Sequence, residues 1–205
     1  MVKKTRDPEK TRAHIIEVAF GEVYRKGFQG VSIRDIVAKT DLTTGAFFHY
    51  FATKNDLGYA LVDEVIKKVT LETWIYPLAA YKNPIQGIIS RYRKFIETVS
   101  DDFLTYGCAI NNLTQEMSAV DTEFGEKLHS VMRLWIEGLE GYLERAQNEG
   151  YLKEKSDPRK IAEFIVAVHE GSFGLAKSFR DKKILWSSYY SLRDYLESVS
   201  GKSEG

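Results

Sequence analysis

Apolar residues recur along this chain with the spacing of α-helices. In an early segment they stand at Ile15, Ala19 and Val23, and in a later one at Leu139 and Leu143. Side chains three or four positions apart share one face of a helix, whereas strands alternate every second residue. No two segments show that alternation convincingly. The pattern therefore predicts an all-α protein.

Helix-starting signals divide the chain into about nine predicted helices. Asp7-Pro8, Asn83-Pro84 and Asp157-Pro158 each place a capping side chain before a proline, which is tolerated in the first helical turn. Ser32 to Asp35 and Thr53 to Asp56 have the form of capping boxes with aspartate in place of glutamate. The predicted helices span residues 8–26, 33–40, 44–50, 54–75, 85–101, 106–118, 122–149, 158–180 and 185–199.

The first three predicted helices form a compact unit over residues 1–53, and residues 54–205 form a larger helical region. Helices 33–40 and 44–50 are joined by only Asp41-Leu42-Thr43, which are the proportions of a helix-turn-helix. We predict an N-terminal three-helix helix-turn-helix domain followed by a C-terminal helical bundle.

The second helix of this pair lies in the run TTGAFFHYF, residues 43–51. On a helical wheel Phe47 and Phe51 share one face, while Gly45 and His49 point the opposite way. Small and polar residues on an exposed face suit a helix that enters the major groove of DNA. Tolerance of glycine in a first helical turn is the alternative interpretation of Gly45.

Composition and charge change this picture little. The chain has 205 residues, of which 43% are apolar, so it can bury a substantial core, and its net charge is zero. Residues 1–56 carry 10 Lys/Arg against 7 Asp/Glu, or +3. The mild excess permits contact with nucleic acid, although a solvated charged face explains it equally well. The basic residues nearest the start are Lys3, Lys4, Arg6, Lys10 and Arg12.

Several classes of protein are disfavoured. A single cysteine, Cys108, rules out an internal disulfide and a cysteine-rich zinc module. We expect no metal, because no histidine pair has ligand spacing, and no cofactor. We expect no enzyme either, because the rival interpretation, a hydrolase using Cys108 with one of the four histidines, has no supporting motif. Without an apolar run for a membrane span or signal peptide, we expect a cytoplasmic protein that does not associate with membranes.

The N-terminal motifs resemble a known family. Arg34 to Ala38, followed by TTGAFFHYF and then Thr53 to Leu57, resembles the DNA-binding domain of the TetR (tetracycline repressor) family of transcription regulators. The resemblance is strong over residues 10–57. It implies a helix-turn-helix that reads double-stranded operator DNA.

The resemblance also implies roles for individual residues. Arg34 matches a position that reaches bases, and its guanidinium can bind guanine through two hydrogen bonds. Lys54 matches a phosphate ligand at a helix N-terminus. A surface arginine is the alternative for Arg34, and a place at the edge of the core is the alternative for Tyr50. The implied DNA-binding residues are Ser32, Arg34, Thr43, Thr44, Gly45, Ala46, Phe48, His49, Tyr50 and Lys54.

Two positions depart from the family pattern. Phe48 stands where tyrosine is usual, so a hydroxyl bond to phosphate is replaced by apolar contact. Asp41 stands where glycine is common in the turn; aspartate tolerates a left-handed backbone better than most residues, but its charge faces a polyanion.

The segment from Tyr106 to Leu113, with Glu116 shortly after it, resembles one that borders the effector cavity in many TetR-family proteins. The ligand-binding candidates are Cys108, Asn111, Glu116, Trp135, His169 and Phe173. Structural roles are the alternatives: an inert buried thiol for Cys108, a cap for Asn111, and core packing for Trp135 and His169.

The last two predicted helices carry apolar residues at helical spacing. By resemblance, helices 158–180 and 185–199 pair with their copies in a homodimer, as an operator with two half-sites requires. We therefore predict a ligand-responsive DNA-binding transcriptional regulator, expected to be a repressor released from a palindromic operator when a small molecule binds residues 54–205. A transcriptional activator of the same fold, and a helical small-molecule-binding protein without DNA function, are the alternatives.

Overall fold

The computed structural model describes residues 7–201. Of the basic residues near the N-terminus, Lys3, Lys4 and Arg6 lie outside this range. The described chain begins with three helices: α1 (Pro8–Lys26), α2 (Ile33–Val37) and α3 (Thr44–Phe48). The second and third are shorter than predicted, and the connection between them is correspondingly longer.

A long helical segment follows these three helices. It consists of α4 (Lys54–Ala60), a π-helical stretch (Leu61–Ile66) and α5 (Lys67–Trp74), and a 3₁₀ turn follows over Tyr76–Ala80. The predicted helix 54–75 therefore has the right extent, but the wider π turn inside it was not predicted. Pro77 lies in the first turn of the 3₁₀ segment, as expected for a residue that ends the long helix.

Six further helices complete the all-α fold, which is confirmed. They are α6 (Pro84–Thr98), α7 (Asp101–Tyr106), α8 (Ala109–Met117), α9 (Thr122–Asn148), α10 (Pro158–Phe179) and α11 (Lys183–Val199). Helix α7 was not predicted as a separate element; it exists because Ser100 caps it by accepting a bond from Phe103 N–H. The one β contact among residues 7–201 is an isolated bridge between Leu152 and Ser200.

The predicted helix caps are confirmed. Asp7, Asn83 and Asp157 accept hydrogen bonds from backbone N–H groups of the first turns of α1, α6 and α10. Ser32 and Thr53 each form a complete capping box. These bonds satisfy N–H groups that have no partner within the helix, which explains where the helices begin.

The chain divides into two compact units. The N-terminal unit comprises Met1–Lys67 with Asn112–His129, and the C-terminal unit comprises Lys68–Asn111 with Ser130–Gly205. The predicted boundary between residues 53 and 54 is a division by function, and it stays a prediction. Within residues 7–201, no helix is long and apolar enough to cross a lipid bilayer.

The buried ring of Phe28 packs against two other elements of the N-terminal unit. It meets the Phe124 ring edge to face, with centroids 4.9 Å apart. Gly58 of α4 lies against both rings: a Cβ atom there would stand 2.6 Å from Cε2 of Phe124 and 2.7 Å from Cε2 of Phe28. Ring atoms cannot yield as a flexible side chain can, so only glycine lets α4 approach this closely.

We expect Gly58→Ala to destabilise the protein. Overpacking costs about 1–3 kcal/mol, which outweighs the gain of up to about 1 kcal/mol in helix propensity. Thermal unfolding of the purified variant measures the result. Gly141→Ala in α9 is the matched control, because a Cβ atom at Gly141 meets nothing within 4 Å and should stabilise. An unchanged or raised melting temperature for Gly58→Ala would contradict the packing argument.

Candidate DNA-binding surface and effector site

Helix α3 is held by its aromatic residues. Phe47 is fully buried and Phe51 is 4% exposed, and their rings lie 5.8 Å apart. Phe48, on the other side, is 47% exposed. The predicted burial of Phe47 and Phe51 is therefore confirmed, and Phe48 faces outward, whereas the ring of Tyr50 is partly buried.

The outward face of α3 joins small and polar residues. Thr44, Gly45 and His49 are exposed, and Arg34 of α2 is exposed as well. Among residues 7–201, no hydrogen bond or ion pair engages the side chain of Arg34 or His49. A Cβ atom at Gly45 would meet only Oγ1 of Thr43, at 3.9 Å. No packing among residues 7–201 therefore requires glycine here, although glycine costs a helix about 1 kcal/mol relative to alanine.

Other predicted DNA-binding residues already have partners within the protein. The Ser32 hydroxyl donates to Oδ2 of Asp35 at 2.7 Å, and Thr43 Oγ1 accepts from Ala46 N–H at 3.1 Å. Lys54 Nζ donates to the carbonyl of Phe28 at 2.6 Å. Desolvation lowers the pKa of this lysine. Any phosphate contact by Lys54 would thus compete with a bond that the fold already makes.

The turn between α2 and α3 needs no left-handed residue. Within the described range, Arg180 is the one non-glycine residue with positive φ, so Asp41 has an ordinary backbone conformation. The left-handed conformation that aspartate would tolerate is therefore not used at Asp41.

A buried carboxylate fixes α1 to the end of α2. Glu22 is 2% exposed, and it accepts hydrogen bonds from Lys26 Nζ at 2.9 Å and from Lys39 Nζ. Hydrogen bonds from Lys39 and then Lys26 lower the pKa of Glu22. Because Lys39 follows α2, this ion pair network joins the first two helices of the helix-turn-helix.

Glu116 holds the connection between α1 and α2. Its two carboxylate oxygens accept from the backbone N–H groups of Phe28, at 2.8 Å, and Gln29, at 2.7 Å. Gly27 ends α1 with φ of +78°, and a Cβ atom there would lie 3.0 Å from both oxygens of Glu116. Both polar backbone groups of Phe28 are therefore bound by side chains, since Lys54 binds its carbonyl. Both carboxylate oxygens of Glu116 are engaged, so an effector could bind this carboxylate only in place of these bonds.

The C-terminal unit contains an aromatic cluster around His169. This histidine of α10 is 1% exposed, and its ring lies 4.5 to 5.8 Å from five aromatic rings. Burial lowers its pKa to about 3, so the imidazole is neutral at physiological pH. The five surrounding residues are Trp74, Tyr92, Phe95, Trp135 and Phe173.

Polar candidates lie beside this cluster. Sγ of Cys108 is 3.4 Å from Oε1 of Glu170, and Nδ2 of Asn111 donates to the Glu170 carbonyl at 3.5 Å. Burial raises the pKa of Glu170 to about 7 and that of the Cys108 thiol well above its usual value. The structure thus groups five of the six predicted ligand-binding residues in the C-terminal unit: Cys108, Asn111, Trp135, His169 and Phe173.

These pKa directions oppose the rival interpretation as a cysteine hydrolase. A catalytic pair needs a thiolate beside a histidine that can take up its proton. Here burial favours the neutral thiol of Cys108 and the neutral, weakly basic imidazole of His169.

Sequence reasoning missed Glu170, Trp74, Tyr92 and Phe95 in this region. A signal existed for Glu170, which interrupts the apolar run of α10 directly after His169. No local signal existed for the three aromatic residues, because they reach the cluster from α5 and α6, whose packing depends on the tertiary fold.

Helices α10 and α11 leave apolar side chains exposed. Phe164, Leu175 and Phe179 on α10 are 43%, 52% and 69% exposed, and Tyr190 on α11 is 48% exposed. Phe164, Gly171 and Leu175 lie near one line along α10, and Gly171 has open space beside its Cα atom. Other residues of the predicted stripe serve the chain's own core: Ile161, Ile165, Ser172, Tyr189, Leu192 and Leu196.

Two short helices with an exposed, small-residue face on the second define a helix-turn-helix DNA-binding protein. Comparison with known proteins identifies the family within this class. The family model "Tetracyclin repressor-like, C-terminal domain" matches residues 84–187, and "Bacterial regulatory proteins, tetR family" matches residues 15–61. The chain belongs to the TetR family of bacterial transcriptional regulators.

Individual relatives agree over nearly the whole chain. It is 27% identical over 203 residues to an HTH-type transcriptional regulator in the lacX 3′ region of Lactococcus lactis subsp. lactis, covering 94% of this chain and 96% of that protein. It is 22% identical over 202 residues to the HTH-type transcriptional repressor DhaR of Mycobacterium sp. (strain GP1), covering 94% and 97%.

A solved structure shows the same fold. The crystal structure of a TetR transcriptional regulator from Chloroflexus aurantiacus J-10-FL superposes with a TM-score of 0.85 at 25% identity, covering 97% of this chain and 100% of the other. The protein is thus a helix-turn-helix transcriptional regulator, of a family in which ligand-responsive repression is typical.

Acid should weaken the attachment of α1 to α2 through Glu22. Since its folded-state pKa lies below the ordinary 4.5, its contribution is present above that pH and lost as pH falls through the folded-state value. We expect Glu22→Gln to lower the melting temperature at pH 7. The difference in melting temperature between the variant and the unmodified protein should become smaller as pH falls below about 4. Glu17→Gln, at an exposed side chain of α1, is the control. A constant difference across this range would contradict the argument.

Glu116→Gln should disturb the helix-turn-helix directly. The oxygen of the new side-chain amide can accept from only one of the two backbone N–H groups. Its NH₂ group then lies against the other N–H group, which is left without an acceptor at a cost of about 1–3 kcal/mol. We expect a lower melting temperature and faster amide hydrogen exchange at Phe28 and Gln29. Glu126→Gln, exposed in the same unit, controls for loss of charge. Unchanged exchange at both amides would show that the carboxylate does not hold this connection.

Proposed function

We propose that the protein is a homodimeric repressor that leaves a palindromic DNA operator when a small molecule binds the C-terminal unit. It acts in the cytoplasm and catalyses no reaction. DNA binding, dimerisation and effector binding each involve a different set of residues, and the DNA-binding surface is the main support for the proposal.

The single observation that carries the proposal is Gly45 on the open face of α3. Glycine lowers helix stability, and no contact with the described part of the chain requires it, but it lets DNA bases approach the helix backbone. Arg34 and His49 stand exposed beside it as hydrogen-bond donors. The other proposed DNA contacts are Ser32, Thr43, Thr44, Ala46, Phe48, Tyr50 and Lys54.

Exposed apolar residues on α10 and α11 support dimerisation. Large rings at Phe164, Phe179 and Tyr190 are exposed on these two helices, and their burial by a partner would be favourable. Open space at Gly171 would let a second copy of α10 approach closely. A second copy of this chain is the proposed partner, because a two-fold dimer places two α3 helices on two half-sites.

The proposed effector site is the region around His169. Its walls are mainly aromatic, which favours an apolar or aromatic small molecule, and the buried Nε1 of Trp135 has no hydrogen-bond partner among the described residues. Cys108 and Asn111 supply polar groups at its edge.

Helix α8 offers a route from effector to DNA. Near its start, Asn111 binds the carbonyl of Glu170, which neighbours His169; near its end, Glu116 binds the connection between α1 and α2. An effector that displaces Asn111 would shift α8 and so change the bonds of Glu116 to the connection between α1 and α2. Such a ligand shifts the equilibrium only by its different affinity for the two states.

The central experiment measures DNA affinity by fluorescence anisotropy on the promoter region flanking the protein's own gene, at two salt concentrations. We expect specific, salt-sensitive binding with two chains per operator. Arg34→Ala should weaken it by about 1–3 kcal/mol. Gly45→Ala should raise the melting temperature yet weaken binding by about tenfold or more, or about 1.4 kcal/mol.

Gly141→Ala is the matched control, because it also adds a methyl group to an exposed helical glycine. Gly141 lies in α9, outside the helix-turn-helix. This variant should leave DNA affinity unchanged. Equal binding by the unmodified protein, Arg34→Ala and Gly45→Ala would contradict the proposal and favour a helical small-molecule-binding protein. One chain per operator would contradict the dimer.

A further inference from the structure

Three potential metal ligands meet beside the aromatic cluster. Cys108 precedes α8, and His169 and Glu170 lie in the middle of α10. Their ligand atoms, one thiol sulfur, one imidazole nitrogen and one carboxylate oxygen, all lie within 4.8 Å of one another. Within this group, Cys108 Sγ and Glu170 Oε1 are 3.4 Å apart.

Two of these side chains have unmet hydrogen-bonding capacity. Nδ1 of His169 and Oε2 of Glu170 are buried, and neither has a hydrogen-bond partner among residues 7–201. Buried polar atoms are almost always satisfied in folded proteins, because leaving one unpaired costs about 1–3 kcal/mol. An imidazole nitrogen and a carboxylate oxygen without partners, on neighbouring residues next to a thiol, are atoms that a bound cation would satisfy.

We propose that Cys108, His169 and Glu170 bind one divalent transition-metal ion of the Zn²⁺ class. Sulfur, imidazole nitrogen and carboxylate oxygen are the donors that Zn²⁺ and Co²⁺ accept together, whereas Mg²⁺ and Ca²⁺ prefer oxygen alone. Three protein ligands leave a fourth tetrahedral position open to water or another small ligand.

The three ligand atoms need to move only slightly closer together to bind Zn²⁺. Ligand atoms around tetrahedral Zn²⁺ are separated by about 3.5 Å, given bond lengths of about 2.0–2.3 Å. The Cys108 to Glu170 separation is already of this size, and the other separations, which are at most 4.8 Å, must shorten by about 1 Å at most. On binding, the thiol of Cys108 gives its proton to solvent and the thiolate becomes the sulfur ligand.

The adjacent ring packing would stabilise the orientation of the histidine. The His169 ring is enclosed by aromatic neighbours, including Phe173 at 4.5 Å and Trp74 at 4.7 Å between centroids. A ring held in this way loses little rotational freedom on binding an ion. The inference concerns metal binding alone and does not depend on the DNA-binding role.

The test uses Co²⁺ as a spectroscopic probe on the full-length, reduced and chelator-treated protein. We expect saturation at one ion per chain, visible bands of tetrahedral Co²⁺ and an ultraviolet thiolate-to-cobalt band, all displaced by Zn²⁺. Cys108→Ser should abolish the ultraviolet band. Glu170→Gln and His169→Asn should weaken binding by about tenfold or more.

His14→Asn is the control, because His14 is an exposed histidine whose loss should change nothing. Circular dichroism checks that each variant retains its helices, and the near-isosteric Cys108→Ser and Glu170→Gln variants suffice if His169→Asn does not fold. An absent ultraviolet band, or one that survives Cys108→Ser, would overturn the proposal. Equal loss of binding in His14→Asn would point to surface adsorption and overturn it too.

Discussion

The helix-turn-helix depends on the carboxylate of Glu116. Two backbone N–H groups at the end of α1, those of Phe28 and Gln29, find their acceptors on this one side chain from α8. The direction in which the chain leaves α1 decides where α2 and then α3 begin. A charged acceptor makes these bonds stronger than neutral ones, and Gly27 provides the space that they need.

Local features of this fold were predictable, because their causes lie within a few residues. Asp7, Ser32 and Thr53 cap helices through bonds that span two or three positions, and the sequence shows them directly. The same holds for the ring pattern of α3, where spacing alone separates buried Phe47 from exposed Phe48. Local capping and periodicity therefore account for most helix starts and for the exposed reading face.

Long-range contacts were beyond sequence reasoning. The Phe28 to Glu116 bond spans 88 positions, and the contact of Cys108 with Glu170 spans 62. Histidine pairs at ligand spacing could not indicate this group, because it contains one histidine and because Cys108 and His169 meet only in the folded chain. The neighbours of Glu116 in sequence make it an effector-site candidate, whereas in the folded chain its carboxylate binds the connection between α1 and α2.

The π-helical stretch Leu61–Ile66 bears on how homologous sequences are aligned. A π turn arises when one extra residue is accommodated inside a continuous helix, so the register of residues after it differs from that of an unbroken α-helix. A single-residue gap between relatives at this point can therefore fall inside a helix and need not mark a loop. Where a relative lacks the π turn, an alignment that forbids gaps within Lys54–Trp74 would pair residues from different helix faces, and a comparison of positions in α5 would be wrong for the same reason.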